Sequence, residues 1–370
     1  MNPPPTVLFQ PLNHIGLGHM NRLSVIALAL KDIDANVRTP FVIEGSSHLL
    51  LDALGLPYIP LPDSHSMSAG RWVDWSDRER SSLQSCMSRS ILESIAPQIV
   101  VFDCLPSPTF AEAVIDCEIP IVLCIREMRE LHRYLEEVSG LLEHVDRIII
   151  PHAPGTFNLP GRLSSIACCV GQIARSIRNR SKVQNLQGRR VLIAGGGGGY
   201  PGTVEFYNLA VQSIAELRRH CHSIKGHLVT GPLFSDWHRL RLKEGITLSP
   251  FEPDWPSKGA ESDLVICQAG YNTVAELELL GTKAVLVPAE REWDDQFARA
   301  EHVSRRCQRF RTFTGTKSSE LSQIASDLLS EDIPDCAAPL ADGAAKAARL
   351  IYALVPESVR AGAANCGVGK

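Results

Sequence analysis

The sequence lacks the features that would place the chain in a membrane or send it out of the cell. It has no run of about 18 apolar residues, so it predicts no transmembrane helix. Its first residues, MNPPPTVLFQ, have no basic segment followed by an apolar one, unlike a secretory signal. We therefore expect a cytoplasmic protein.

The sequence also lacks an excess of charge and any regular cysteine spacing. Lysine and arginine number 37 against 41 acidic residues, a net charge of -4, so nothing favours binding to nucleic acid. The 11 cysteines form no C-x-x-C pair, and those in apolar runs, such as Cys124 and Cys267, behave as small hydrophobic residues. This pattern predicts no zinc site and fits a reducing compartment.

Two common nucleotide-binding motifs are missing as well. No G-K-[ST] follows a glycine run, which excludes a Walker A loop. The early turn GLGHMN lacks the third glycine of the dinucleotide fingerprint, which argues against a dehydrogenase.

What is present is an alternation of apolar runs and helical patterns, repeated twice in 370 residues. Runs rich in Val, Ile and Leu suit strands buried on both faces of a parallel sheet, so the sequence predicts an α/β protein with two domains. We expect the following organisation: a first domain at 1–170, a linker at 171–190, a second domain at 191–340, a helix at 341–356 that could pack back on the first domain, and a flexible tail at 357–370.

A glycine run follows the first strand of the second domain, in VLIAGGGGGYPGT. Glycines allow backbone N–H groups to approach and turn towards a phosphate, so this loop predicts phosphate binding. A flexible turn is the plainer alternative. The run consists of Gly195, Gly196, Gly197, Gly198 and Gly199.

The most informative segment begins at Asp263, DLVICQAGYNTVAELELLGTKAVLVPAEREWDDQFARAEHV. After the strand, Gly270 turns the chain, and Thr273 with Glu276 forms a T-x-x-E pattern that predicts a capping box at a helix start. Glu276 is either that cap alone or a carboxylate that accepts from a ribose diol. Asp295 and Gln296 are expected to open the next helix.

These motifs resemble the donor-binding signature of the GT-B glycosyltransferases. The pattern C-Q-A-G-Y-N-T-x-x-E, then G-T-K-A-V-L-V-P and D-D-Q-x-x-x-A-E, is similar to MurG-like N-acetylglucosaminyltransferases and to UDP-glycosyltransferases. GLGHMNR at 16–22 matches the G-H-x-x-[PR] turn of their first domain. The resemblance implies two Rossmann-like parallel-sheet domains facing a central cleft, with the donor nucleotide held by the second domain.

Site residues follow from the resemblance by position. The glycine loop, Gly270 and Thr273 would hold the diphosphate, Glu276 the ribose, and Phe251 the nucleobase, while Asp295 and Gln296 would bind the donor sugar. The Q-A-G turn adds Gln268 and Ala269 to the donor site.

The resemblance also makes His19 the expected catalytic base. Inverting transfer needs a group that takes the proton of the acceptor as it attacks the anomeric carbon, and histidine titrates in the right range. Asp103, which ends the apolar run IVVFD, is the expected partner that would orient the ring. A solvated histidine at a helix start and an aspartate in a turn before prolines are the alternatives.

The acceptor site is expected in the first domain. His14 and Gly18 flank the same turn, and Trp72 and Trp75 lie in a long polar segment where they could stack on a sugar or an aromatic acceptor. Arg22 departs from the MurG pattern, which more often has proline there, and a related nucleotide-sugar hydrolase has arginine at this position.

We therefore expect an inverting hexosyltransferase, independent of a metal and without a bound cofactor. It would use a nucleoside-diphosphate sugar, UDP-linked in our interpretation, and a small-molecule or lipid-linked acceptor with a hydroxyl or amine. A hydrolase with the same donor site and a non-catalytic sugar-nucleotide binder are the alternatives. We expect no nucleic acid partner, at most peripheral membrane contact, and a monomer or homodimer.

Overall fold

The computed structural model describes residues 3–11, 16–44, 47–61, 77–175, 188–334 and 342–364. The chain divides into two compact units. The first unit contains Met1–His14, His19–Ile173 and Asp342–Lys370, and the second contains Ile15–Gly18 and Ala174–Ala341. Among the described residues, no helix has both the length and the apolar character that crossing a bilayer requires.

The first unit is built on a seven-stranded sheet in which every neighbouring pair is parallel. The strand order is β3-β2-β1-β4-β5-β6-β7. The strands are β1 (Val7–Pro11), β2 (Phe41–Glu44), β3 (Tyr58–Leu61), β4 (Ile99–Asp103), β5 (Ile121–Cys124), β6 (Val145–Ile150) and β7 (Ala167–Cys169). Every residue of β1, β2, β4 and β5 is buried, as expected for strands covered on both faces.

Helices connect these strands in the right order for a parallel sheet. They are α1 (Gly18–Ile33), α2 (Leu49–Leu54), α3 (Asp77–Ile95), α4 (Pro108–Asp116), α5 (Leu131–Glu137), α6 (Ser139–Leu142) and α7 (Leu163–Ile166). Met20, Leu23, Ile26, Ala27 and Leu30 of α1 are fully buried, so the apolar spacing read from the sequence does form the inner face of this helix.

The second unit repeats the design with a six-stranded parallel sheet of order β10-β9-β8-β11-β12-β13. Its strands are β8 (Arg190–Ala194), β9 (Lys225–Val229), β10 (Ile246–Ser249), β11 (Leu264–Cys267), β12 (Ala284–Leu286) and β13 (Phe310–Thr312). Its helices are α8 (Thr203–His220), α9 (Trp255–Glu261), α10 (Tyr271–Leu280), α11 (Gln296–Arg306) and α12 (Ser318–Ser330), with a 3-10 turn at Trp237–Arg239. Alternate residues of β8 enter the two cores on either side of this sheet.

The chain returns to the first unit at its end. Helices α13 (Gly343–Leu354) and α14 (Glu357–Ala364) belong to that unit, and the Tyr352 hydroxyl donates to Asp34 Oδ2 at 2.8 Å. The tail predicted to be flexible from residue 357 therefore contains a helix over its first part. Glu357 in the first turn and the alanines that follow favour this helix.

Candidate active site

The first group of candidate residues lies where the strand order of the first sheet reverses. Strands β1 and β4 are neighbours, and Pro11 is in register with Asp103 at their carboxyl ends. In open parallel sheets, ligands bind outside the carboxyl ends of the strands at such a reversal. Asp103 ends β4, and His19 is the second residue of α1, which follows β1.

The structure brings His19 and Asp103 together, although 84 residues separate them. Nδ1 of His19 lies 3.1 Å from Oδ1 of Asp103, and the histidine side chain is 21% exposed while the aspartate is fully buried. If Nδ1 carries the proton that the carboxylate accepts, the lone pair is on Nε2. The histidine of this pair is thus able to act as a base at Nε2.

Arg22 is the third member of this group. Its Nε donates to Oδ2 of Asp103 at 2.8 Å and its Nη2 donates to Oδ1 at 2.8 Å, a bidentate pair. Arg22 is 1% exposed, so this guanidinium faces the carboxylate and not solvent. The sequence flagged Arg22 only as a departure from a family pattern, and no local signal identified its partner.

The charges around Asp103 determine its ionisation. Burial by itself raises the pKa of this carboxyl, but the charges of Arg22 and His19 and their hydrogen bonds outweigh it and hold the pKa well below its usual range. Asp103 is therefore ionised at neutral pH. The aspartate orients His19 as an anion whose charge is shared with Arg22.

The backbone after Asp103 takes an unusual conformation. Cys104 has a φ of +60°, a left-handed value that is uncommon without glycine. The buried Tyr134 hydroxyl donates to the Cys104 carbonyl at 2.9 Å, which braces this turn from α5. Backbone strain of this kind is frequent at functional sites.

His19, Asp103 and Cys104 are also the one group among the described residues whose ligand atoms lie close enough, within 4.8 Å, to hold a metal ion. Their chemistry does not fit a cation. Arg22 already binds both carboxylate oxygens. Burial, and then the neighbouring Asp103 charge, raises the pKa of the Cys104 thiol to about 12, so the thiolate that a metal needs is disfavoured.

A second histidine lies beside a carboxylate at the same sheet edge, beyond β5 and β6. The Glu127 backbone N–H donates to Nε2 of His152 at 3.1 Å, and Nδ1 of His152 lies 3.6 Å from Oε2 of Glu127. His152 is 7% exposed. Sequence analysis missed this pair, and the signal available was a polar residue two or three positions after the end of each of two apolar strands.

In the second unit, the glycine run forms the turn between β8 and α8. Gly196 and Gly198 have φ values of +68° and +85°. A side chain at Gly198 would collide with the Thr230 carbonyl oxygen, whereas Gly196 is exposed and has open space around it. Packing therefore requires glycine at position 198. At Gly196 the space is open, and only the positive φ favours glycine.

The turn between β11 and α10 lies next to the glycine turn. The Gln268 backbone N–H donates to the Ala194 carbonyl at the end of β8 at 3.3 Å. Oε1 of Gln268 accepts from Nη2 of Arg291 at 2.9 Å, and the Arg291 guanidinium lies 3.9 Å from the centre of the Tyr200 ring. Gln268 thus connects the two turns, with Arg291 against both.

A second arginine, Arg299, supports the same turn from α11. Its Nη1 donates to the Ala269 carbonyl at 3.0 Å, and its Nη2 forms an ion pair with Asp294 at 2.7 Å. Neither arginine was among the residues predicted from the sequence, although Arg291 lies in the loop after β12, and functional side chains are common beyond the ends of strands in this type of sheet.

Helix α10 differs from its predicted start. It begins at Tyr271 after Gly270, and the structure gives it no side-chain cap, so the capping box predicted for Thr273 and Glu276 is wrong. Glu276 lies within the helix, 3% exposed, and its Oε1 accepts from Nε of Arg175 at 3.1 Å. Glu276 is thus used in an ion pair with Arg175.

Comparison with known proteins agrees with this architecture. Residues 198–331 match the family model of the glycosyltransferase family 28 C-terminal domain. The glycosyltransferase of kitacinnamycin superposes with a TM-score of 0.61 at 14% identity, covering 95% of this chain and all of that one. MurG of Acinetobacter baumannii gives 0.55 at 16% identity, covering 95% and 99%.

The chain has the GT-B fold. The fold class and the resemblance expected from the sequence are therefore confirmed. A putative UDP-N-acetylglucosamine 2-epimerase from Listeria monocytogenes is also similar in structure, with a TM-score of 0.63 at 15% identity and coverage of 96% and 97%, so this likeness shows the fold alone.

Sequence relatives match shorter stretches. A UDP-N-acetylglucosamine--N-acetylmuramyl-(pentapeptide) pyrophosphoryl-undecaprenol N-acetylglucosamine transferase from Rhodopseudomonas palustris (strain BisB18) is 41% identical over 93 residues, 24% of this chain and 25% of that protein. The enzyme of the same name from Rickettsia canadensis (strain McKiel) is 26% identical over 205 residues, 54% and 56% of the two chains. The chain thus spans about a quarter to a half of the length of these relatives.

The remaining predicted residues of this GT-B chain occupy the following places. Phe251 is half-buried beyond the end of β10. Asp295 precedes α11 and accepts from the Ala298 N–H at 2.9 Å. Gln296 is 5% exposed, and its Oε1 accepts from the Ala289 N–H at 3.1 Å, so both side chains are already used in supporting their loop.

The predicted acceptor residues are covered only in part. Gly18 is the exposed first residue of α1. His14, Trp72 and Trp75 lie outside the described residues, as does most of the predicted linker, 176–187. Their proposed roles stay predictions.

Proposed function

We propose that this protein is a glycosyltransferase that moves a sugar from a UDP-linked donor to a hydroxyl or amine of its acceptor, with inversion at the anomeric carbon. The observation that carries the proposal is the hydrogen bond between His19 Nδ1 and Asp103. It leaves Nε2 of a partly exposed histidine to accept a proton at a sheet edge where GT-B proteins bind ligands.

The proposed reaction is a single displacement. The acceptor oxygen or nitrogen forms a bond to the anomeric carbon of the sugar, and its proton passes to Nε2 of His19. The bond between the anomeric carbon and the β-phosphate oxygen breaks, and UDP leaves with the electron pair. Asp103 stabilises the imidazolium that results, while Arg22 keeps the aspartate ionised and in place.

The donor site is proposed in the second unit, which is the part that matches the family 28 domain. The glycine turn and the start of α10, with Gly270 and Thr273, would hold the diphosphate through backbone N–H groups. Glu276 would accept from the ribose hydroxyls, in exchange for part of its contact with Arg175. Phe251, Asp295 and Gln296 keep their expected roles towards the base and the sugar.

The printed names of the sequence relatives guide the choice of substrates. These enzymes act on a UDP-N-acetylglucosamine donor and a pyrophosphoryl-undecaprenol acceptor. We propose a lipid-linked or small-molecule acceptor, with peripheral contact at most to a membrane and a site of action in the cytoplasm. The backbone N–H groups at the diphosphate make a metal-independent reaction our expectation.

We do not propose hydrolysis. That alternative depends on Arg22 acting towards water, and Arg22 is 1% exposed with its guanidinium bound to Asp103.

The test is sugar transfer with a panel of nucleoside-diphosphate sugars, UDP-N-acetylglucosamine first, followed by UDP release and product mass. We expect His19→Ala to lower kcat by about 10²- to 10⁴-fold, the usual contribution of a positioned general base. His132→Ala is the matched control, since His132 is 89% exposed in the same unit. An unchanged kcat for His19→Ala, or release of free sugar from the donor at the same rate without acceptor, would contradict the proposal.

A further inference from the structure

Arg291 has an environment unlike those of Arg22 and Arg299. It lies after β12 and is 9% exposed. Its Nη1 donates to the Glu290 carbonyl, its Nη2 donates to the Gln268 side chain, and its guanidinium stacks on Tyr200. Every one of these partners is neutral.

The contrast with Arg22 and Arg299 is direct. Arg22 binds Asp103 through two nitrogens, and Arg299 binds Asp294 at 2.7 Å. Within the described part of the chain, no carboxylate forms an ion pair with Arg291, and its Nε has no hydrogen-bond partner although it is buried. A buried charge without a counter-ion is costly, so such a group calls for an anion.

Burial disfavours the charged form of the Arg291 side chain. Burial lowers the pKa of Arg291, and the neighbouring Tyr200 and Asp294 offset that effect only in part. Arginine stays protonated at neutral pH despite such a shift, since its pKa is so high. The cation is thus retained in a place that disfavours it.

The contacts of Arg291 place it between two turns of the second unit. Tyr200 directly follows Gly199 and is 39% exposed. Gln268 is bound through its backbone to Ala194, the residue before the glycine run, and lies three residues before the start of α10 at Tyr271. Backbone N–H groups of a glycine turn and of a helix start are the groups that bind phosphate in such sheets.

We propose that Arg291 binds the diphosphate of the sugar nucleotide and supplies its counter-charge. The inference rests on the proposed function, because it assigns a ligand contact within that donor site. Gln268 and Tyr200 hold the guanidinium in place before the ligand arrives, and the unpartnered Nε–H is the donor left for a phosphate oxygen. The same contact stabilises the charge that grows on the β-phosphate as the sugar leaves.

The experiment compares binding of UDP, uridine and inorganic pyrophosphate to the full-length chain by calorimetry, in buffer free of phosphate. Arg291→Gln should lower the affinity for UDP by about 10- to 100-fold, the effect of losing one charge-assisted contact. The affinity for uridine, which has no phosphate, should be unchanged. Arg291→Lys keeps the positive charge but loses the planar guanidinium, so its affinity for UDP should lie between those of the wild type and Arg291→Gln. Pyrophosphate binding should be lost in Arg291→Gln.

Thermal unfolding without ligand gives a second, independent readout. Removing an unpaired buried charge relieves the folded protein, so Arg291→Gln should raise Tm in the absence of ligand and reduce the rise that UDP causes. Arg299→Gln is the matched comparison, because it removes the ion pair with Asp294 and should lower Tm. The two variants should therefore change Tm in opposite directions. This difference distinguishes the loss of an arginine without an ion pair from the loss of one that has an ion pair.

The outcomes separate the two proposals. If the wild type and Arg291→Gln bind UDP with equal affinity, the role of Arg291 is overturned and the proposed function stays intact. A wild type that binds no nucleoside diphosphate and no pyrophosphate overturns the role as well. Loss of UDP and pyrophosphate binding in Arg291→Gln, in a protein that transfers no sugar, upholds Arg291 and refutes the proposed function.

Discussion

Replacing Arg22 by methionine tests the structural account of the candidate dyad most directly. Asp103 is 0% exposed and takes part in three hydrogen bonds, two from Arg22 at 2.8 Å and one with His19 at 3.1 Å. Methionine keeps an unbranched apolar side chain, shorter than that of arginine, and removes the two nitrogens that donate to Asp103. Asp103 is then a buried carboxylate with one partly exposed partner.

The expected loss of stability is large. Removing one partner of a buried ion pair costs about 3–5 kcal/mol, because the other charge stays buried without compensation. We expect a loss in this range for Arg22→Met by urea unfolding of the full chain, followed by circular dichroism. The double variant Arg22→Met with Asp103→Leu removes both charges and should recover at least about half of that loss. A loss below about 0.5 kcal/mol for Arg22→Met would refute the reasoning, since that is the size of an ordinary surface substitution.

The same pair predicts how stability depends on pH. The pKa of Asp103 is held below its usual range in the folded chain, so its contribution is fully present above the unfolded value of about 4 and is lost as pH falls below it. The wild type should therefore lose stability from pH about 4 downwards. Arg22→Met should show a shallower loss over that range, and an equally steep one would mean that Arg22 does not set the ionisation of Asp103.

Two further predictions concern the glycine turn and the thiols. Gly198→Ala should destabilise the chain more than Gly196→Ala, because both have positive φ, a cost of about 1–2 kcal/mol for alanine, but only Gly198 would also collide with the Thr230 carbonyl; equal unfolding midpoints for the two variants would contradict this. A hydrogen bond with the Ser223 side chain lowers the pKa of the exposed Cys221 thiol, while burial raises that of Cys104 to about 12. Iodoacetamide at pH 7.5 should therefore label Cys221 in the folded protein and Cys104 only after unfolding, as read by peptide mass spectrometry.

The sequence predicted the central strands well and the outer ones poorly. Apolar runs such as IVVFD and DLVICQ identify strands that are buried on both faces. Of the four edge strands, the sequence predicted β10 from the run ITLS but not β3, β7 and β13, which are only three or four residues long and partly exposed. Such strands form because the backbone of a neighbouring strand hydrogen-bonds to them, and the local amino-acid composition does not predict that pairing.

The candidate site shows the same limit. The spacing of residues predicted His19 at a helix start and Asp103 at a strand end, and the two lie together because parallel strands share an edge. No pattern within a few residues of Arg22 or Arg291 reveals which one has a carboxylate beside it. That difference depends on contacts between residues far apart in the sequence. Arg22 binds Asp103, 81 residues away, and Arg291 binds Gln268, 23 residues away.

The path of the chain through the two units has a consequence for biosynthesis. The second unit is nearly one continuous segment, whereas the first needs helices α13 and α14 from the far end of the chain. A ribosome finishes the second unit while the first still lacks its closing helices and the bond from Tyr352 to Asp34. The order of synthesis and the order of completion are therefore opposite, and the unit that carries His19 and Asp103 is the last to be whole.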